Sequence, residues 1–190
     1  MFKPQMKFQK ILFLLALIFS AVMFVYGLGL MTGVYGLYQT QALGGVPGSK
    51  IFTDMQGYNN ILVYGSIGLI LISTLPFIFA SNTRRKYYIG NTIATYVQAG
   101  AFVVMAVYVV MNTIKYRTQF LTTVDFTLYK EMSDMMNFNY SESTFWFDIG
   151  FVLAVILVVF AGAIVYNLIW KTKLVKQEDE ILSGGVVTNE

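Results

Sequence analysis

Residues 149–170 read IGFVLAVILVVFAGAIVYNLIW and carry no charged side chain. Three further stretches, at 11–38, 60–80 and 87–114, are also free of charge. Each is long enough to supply the roughly 20 apolar residues that cross a hydrocarbon core about 30 Å thick. The chain of 190 residues is 56% hydrophobic and 12% charged, which is far from the balance of soluble domains. The sequence therefore predicts an all-α integral membrane protein, a bundle of four transmembrane helices.

The first charge-free stretch follows three lysines, an arrangement that also introduces secretory signal peptides. Its length of about 28 residues exceeds the roughly 7 to 15 apolar residues of a signal core. We expect an uncleaved transmembrane helix.

The basic residues predict the orientation, because Lys and Arg are retained on the cytoplasmic side during insertion. Nine of the thirteen flank one set of span ends, namely Lys3, Lys7, Lys10, Arg84, Arg85, Lys86, Lys171, Lys173 and Lys176. The opposite set holds Lys50, Lys115, Arg117 and Lys130. Both termini are thus predicted in the cytoplasm, with external loops at 39–59 and 115–148. Residues 1–176 would form the transmembrane domain, and 177–190 a polar cytoplasmic tail.

The residues that are missing argue against enzymatic chemistry. The chain has no cysteine and no histidine, which removes the usual ligands and nucleophiles of thiol, haem and zinc enzymes. Every charged residue lies outside the four spans, so no buried carboxylate or lysine is available as an acid or base. We predict no catalytic, cofactor-binding or metal-binding residues. The net charge of +3 is explained by insertion topology and anionic lipid, and we expect no nucleic-acid partner.

The third span carries polar and small residues at helical spacing. They recur at intervals of three and four, namely Asn91, Ala94, Gln98, Ala101, Met105, Tyr108 and Asn112. Because an unpaired amide is costly in hydrocarbon, this face is predicted to pack against protein. Two interpretations of Asn91, Gln98, Tyr108 and Asn112 are open. They are hydrogen-bonding contacts between helices, which we favour, or the polar lining of a small-solute path.

Small residues on the first and fourth spans predict close helix packing. Gly29, Gly33 and Gly36 lie on the first span, and Gly150, Ala154 and Ala161 form a similar line on the fourth. Such positions let another backbone approach closely, within the bundle or in a partner. Pro76 on the second span predicts a kink.

The loop between the third and fourth spans contains an amphipathic pattern. Its apolar side is formed by Leu121, Val124, Leu128, Met132, Met135 and Met136. We predict an external amphipathic helix that caps the bundle; docking to a partner and lying on the outer leaflet are the alternatives. Asn139 begins a glycosylation sequon that is without meaning in a bacterial protein.

Two functional classes fit these features. We expect a non-catalytic accessory subunit, bound to other membrane protein subunits of a transporter, respiratory or secretion complex in the lipid bilayer. The alternative is a small channel or carrier for a small solute, working as an oligomer. Low arginine, no cysteine and abundant Phe, Tyr, Ile, Asn and Lys favour a bacterial plasma membrane, with an organellar membrane as the other option.

Overall fold

The computed structural model describes residues 3–31, 50–80, 88–137 and 141–184, and within these ranges all regular structure is α-helical. The helices are α1 (Lys3–Met31), α2 (Lys50–Ala80), α3 (Tyr88–Thr123), α4 (Phe126–Met136) and α5 (Phe145–Gly184). The four long helices are each long and apolar enough to cross a membrane. The helical class and the four candidate spans are therefore confirmed.

The four long helices pack as a ring in the order α1, α2, α3, α5. α1 contacts α2 and α5, and α3 contacts the same two helices. Neighbours run antiparallel: Ser20 lies against Ser73, whereas Leu30 lies against Asn59. We call the end with the first turn of α1 the amide end, and the opposite end the α4 end.

Apolar side chains fill the interior of the ring and also cover its outside. Met23, Leu62, Phe102 and Leu157, one from each long helix, are fully buried in the centre. The outward faces are equally apolar, and the exposed residues include Ile18, Leu71, Val104 and Val158. A surface this apolar on all four helices is suited to lipid and not to water. The chain is a membrane protein.

Two of the helices extend beyond the charge-free stretches. α2 begins at Lys50, ten residues before the predicted span, and α3 continues nine residues past it to Thr123. Parts of both predicted external loops are therefore helical. Charged side chains end an apolar stretch without ending a helix, and buried residues such as Met55 and Phe120 keep the added turns packed.

The predicted amphipathic helix is divided by the structure. Leu121 lies in the last turn of α3, and Val124 lies in the two-residue connection to α4. Asp125 caps α4, because its Oδ1 atom accepts hydrogen bonds from the backbone N–H groups of Thr127 and Leu128, each at 3.1 Å. The cap starts a new helix inside a continuous apolar pattern.

The last helix also passes the predicted boundary of the tail. α5 continues through 177 to Gly184, while 185–190 lie outside the described residues. Pro76 lies inside α2.

Candidate functional site

Polar side chains meet inside the bundle at three levels. At the amide end, Gln5 donates from Nε2 to Gln9 Oε1 and to Asn167 Oδ1, both at 2.8 Å. All three amides are buried, and they join the first turns of α1 to the last part of the apolar stretch of α5. This cluster was not predicted, although Gln5 and Gln9 are four residues apart and so share one side of a helix.

The second level lies near the middle of the apolar stretches. Gln98 donates from Nε2 to Ser73 Oγ at 3.1 Å, and Ser73 Oγ lies 3.4 Å from Ser20 Oγ. Ser20 in turn donates to the carbonyl oxygen of Ala16 at 2.8 Å. Side chains from α1, α2 and α3 are thus linked across the interior, and all three are fully buried.

The third level is a tight junction near the α4 end. Tyr26 donates from its hydroxyl to the carbonyl oxygen of Trp146 at 2.7 Å, which ties α1 to the first turn of α5. A Cβ atom added to Gly150 would lie 2.8 Å from Tyr26 Oη and 2.9 Å from Thr113 Oγ1. Gly150 is therefore required for α5 to approach both hydroxyls. Nearby, the ring of Tyr58 stacks against the rings of Tyr108 and Tyr116, with centroids 5.7 Å apart in each case.

The predicted stripe on α3 forms one edge of the buried face of that helix. Asn91, Gln98 and Met105 are buried, while Ala94, Ala101, Tyr108 and Asn112 are half-buried. The stripe faces α2, as the contacts of Gln98 with Ser73 and of Tyr108 with Tyr58 show. Asn112 donates to its own helix, at the carbonyl oxygen of Tyr108.

The other half of the buried face of α3 faces α5, and it was not predicted from the sequence. It contains Thr95, Ala99, Phe102, Ala106 and Thr113, all of them buried. Phe102 meets Phe160 edge-on, with centroids 6.2 Å apart. These residues are mostly apolar, so in a lipid-exposed helix nothing in the pattern distinguished them from lipid-facing residues.

The small residues on α1 and α5 lie in different surroundings. Gly150, Ala154 and Ala161 are buried inside the bundle. A Cβ atom at Gly29 would meet no heavy atom of the described residues within 4 Å, whereas one at Gly27 would lie 3.0 Å from Val63 Cγ2. Close approach between α1 and α2 thus occurs at Gly27. Gly33 and Gly36 lie outside the described residues.

The amphipathic segment lies across the α4 end. Val124 and Tyr129 are buried against the bundle, and Phe126 meets Phe120 with centroids 5.2 Å apart. Leu128 and Met132 are half-buried and pack on the same core. Leu121 and Met135 are exposed, and the side chain of Met136 lies outside the described part.

Few charged side chains of the described residues lie close to one another. These residues contain no group of three or more Asp and Glu residues placed to hold a metal ion. Arg117 and Asp148 form an ion pair of 3.3 Å at the surface of the α4 end, where such pairs stabilise a fold only slightly. The arrangement binds helices to one another through hydrogen bonds and close contacts.

Comparison with known proteins adds no assignment: no family model, no curated protein and no solved structure matches this chain.

Proposed function

We propose that this protein is a non-catalytic accessory subunit of a larger membrane protein complex in a bacterial plasma membrane, with both termini in the cytoplasm. The observation that supports this most is the part of α5 after Trp170, residues 171–184, which we call the α5 extension. It comprises about 14 residues and is about 21 Å long. The first turns of α1 contact Asn167 and Trp170, which lie before this extension begins.

The α5 extension exposes apolar side chains among charged ones. Ile181 is 66% exposed and Leu182 is 56% exposed, two turns beyond the buried Leu174. An isolated helical segment of this length is marginally stable in water, and packing of an apolar face is what usually stabilises one. Lys171, Lys173 and Lys176 give this end the basic character of a cytoplasmic flank, so the proposed partner surface lies in the cytoplasm.

The packing of the interior also supports an accessory role over transport. Met23, Phe102 and Leu157 fill the centre of the ring with no exposure, so the described helices enclose an apolar core at mid-height. A channel or carrier formed by this chain would have to rearrange these side chains or use the surface between several copies. Gln98 remains the residue on which that alternative depends.

Copurification from native membranes in mild detergent tests the proposal. Ile181→Glu combined with Leu182→Glu should release defined membrane subunits that accompany the unmodified protein, as identified by mass spectrometry. The matched control is Gln177→Glu, an exposed change on the same α5 extension that should retain them.

Two outcomes contradict the proposal. One is purification as a lone monomer or homo-oligomer that transports a solute in liposomes without other proteins. The other is retention of the same subunits by the Ile181→Glu, Leu182→Glu variant. If transport occurs and Gln98→Leu abolishes it in a folded protein, the channel alternative takes its place.

A further inference from the structure

Gln98 lies deep in the apolar part of the protein. The charge-free stretch of its helix runs from 87 to 114, so Gln98 is within a turn of the centre. Its side chain has no exposure to the outside of the bundle. At this depth lipid offers no hydrogen-bond partner. The N–H groups and the oxygen of the Gln98 amide must therefore find their partners inside the protein.

The hydrogens at this level can be assigned one by one. Ser20 donates its only hydroxyl hydrogen to the carbonyl oxygen of Ala16, so in the contact between the two serines Ser73 is the donor. Ser73 also accepts from Gln98 Nε2. This leaves Gln98 Oε1 without a donor among the described residues. If the amide of Gln98 were reversed, its oxygen would accept from the hydroxyl of Ser73. The Nε2 group of Gln98 would then lack an acceptor, and Ser73 could no longer donate to Ser20.

A second unpaired carbonyl oxygen lies on the same face of α3. Asn91 is buried, and its Oδ1 atom has no donor within the described chain. Thr95 is buried between the two amides and gives its hydroxyl hydrogen to the backbone oxygen of Asn91 at 2.6 Å. The lone pairs of Thr95 Oγ1 can therefore only accept.

We propose that Asn91, Thr95 and Gln98 bind internal water on the buried face of α3, where the stripe meets the half that faces α5, between the amide end and the middle of the bundle. Residues three and four apart on a helix have Cβ atoms about 5–6 Å apart, so the three polar side chains are neighbours along the helix. Each of the three side chains offers an acceptor, and water supplies two donors per molecule. Buried water commonly occupies sites where buried polar groups lack partners.

The hydrated segment ends at the apolar centre. Phe102, one turn beyond Gln98, is fully buried, as is Val109 further along the same helix. The proposed water therefore lies in the half of the bundle that is next to the amide end. The inference is independent of the accessory function, since a subunit or a carrier could contain it.

Solid-state NMR of the full chain in bilayers of deuterated lipid tests for this water. Glutamine is labelled with 15N, and serine and phenylalanine with 13C, and the Nε2 signal of Gln98 is identified through its contact with Ser73. Proton polarisation is then transferred from water for increasing times. We expect the Gln98 signal to grow without delay, as for the exposed Gln177. Growth as slow as that of the ring of Phe102, which is equally buried and apolar, would overturn the proposal.

Removal of one acceptor provides the second arm. Thr95→Val should reduce the rapid transfer to Gln98. Valine has nearly the shape of threonine but lacks the hydroxyl oxygen that would accept a hydrogen bond from the water. Thr118→Val is the matched control, an exposed position on the same helix near the α4 end, and it should leave the transfer unchanged. Undiminished transfer in a folded Thr95→Val protein would overturn the assignment to this face.

Discussion

Gly150 and Gly29 are both glycines in apolar spans, and they lie in opposite surroundings. At Gly150 the hydroxyls of Tyr26 and Thr113 occupy the space in which a Cβ atom would lie, at 2.8 and 2.9 Å. At Gly29 a Cβ atom would meet no heavy atom of the described part of the chain within 4 Å. In lipid, where no hydrophobic force draws helices together, close contact is the main source of association energy. Gly150 provides such close contact within the bundle, whereas a Cβ atom at Gly29 meets none of the described residues.

The small residues of such a protein therefore fall into two groups, those that pack inside the bundle and those that do not. Those on α5 hold the four helices together, and a bulky side chain there acts on the stability of the bundle. At Gly29 no such contact with the described residues is present, so a bulky side chain there is expected to act mainly on a partner that approaches α1. Stability and association are therefore expected to separate between the two positions.

Gly150→Val should have the largest effect on stability. Two of its contacts are shorter than any relaxed Cβ contact, so α5 must move or Tyr26 must leave its hydrogen bond to Trp146. We expect a loss of about 2–3 kcal/mol in the free energy of unfolding, typical of overpacking. Gly162→Val on the same helix, where a Cβ atom meets nothing within 4 Å, should change it by about 0.5 kcal/mol or less.

A double-mutant cycle checks the cause of that loss. Combining Gly150→Ala with Tyr26→Phe removes one of the two clashing atoms, so the two changes should cost less together than the sum of their separate costs. Unfolding is followed by circular dichroism during titration with denaturing detergent. Strict additivity would show that contact with Tyr26 is not what requires glycine.

Gln98→Leu should have a smaller effect, because it removes one hydrogen bond between α3 and α2 and leaves the apolar packing around it in place. Interhelical hydrogen bonds in membranes contribute about 0.6 kcal/mol on average, so we expect a loss of about 1 kcal/mol or less by the same measurement. Asn112→Leu is the comparison, since its amide bonds only to its own helix. A loss of several kcal/mol at Gln98 would show that the link between α2 and α3 stabilises the fold more than Gly150 does.

Gly29→Ile should leave the stability of the bundle within about 0.5 kcal/mol of the original. If α1 carries part of the partner surface, the same variant should retain less of the partner during copurification, because a branched side chain keeps another backbone at a distance. Unfolding of the isolated bundle by Gly29→Ile would contradict the contrast with Gly150.

Labelling of single cysteines should determine which side of the membrane each region faces, without affecting stability. The chain has no cysteine of its own, so Ser183→Cys and Ser141→Cys each introduce one thiol. In intact cells an impermeant thiol reagent should label the cysteine at 141 and not the one at 183, because the basic flanks predict that the α5 extension is cytoplasmic. The reverse pattern would place the proposed partner surface outside the cell.

Much of the fold follows from composition and local pattern. The charge-free stretches predicted the four long helices, because crossing hydrocarbon requires about 20 apolar residues whatever the neighbours are. Helix ends were predicted less well: α2 and α3 continue past Asp54 and Arg117, and the α5 extension continues past the predicted tail boundary. Charge marks where lipid ends, while the end of a helix depends on capping and on packing of its last turns.

The sequence by itself determined the number of long helices, their apolar character and the inward position of Gln98, since these follow from the cost of placing charge or unpaired amides in lipid. Only the tertiary structure decided which helices are neighbours and which small residues they use. Lipid and the protein interior are equally apolar, so the type of an apolar residue does not indicate which of the two it faces. That is why Gly150, Gly27 and Gly29 are alike in the sequence and differ once α1, α2 and α5 are packed.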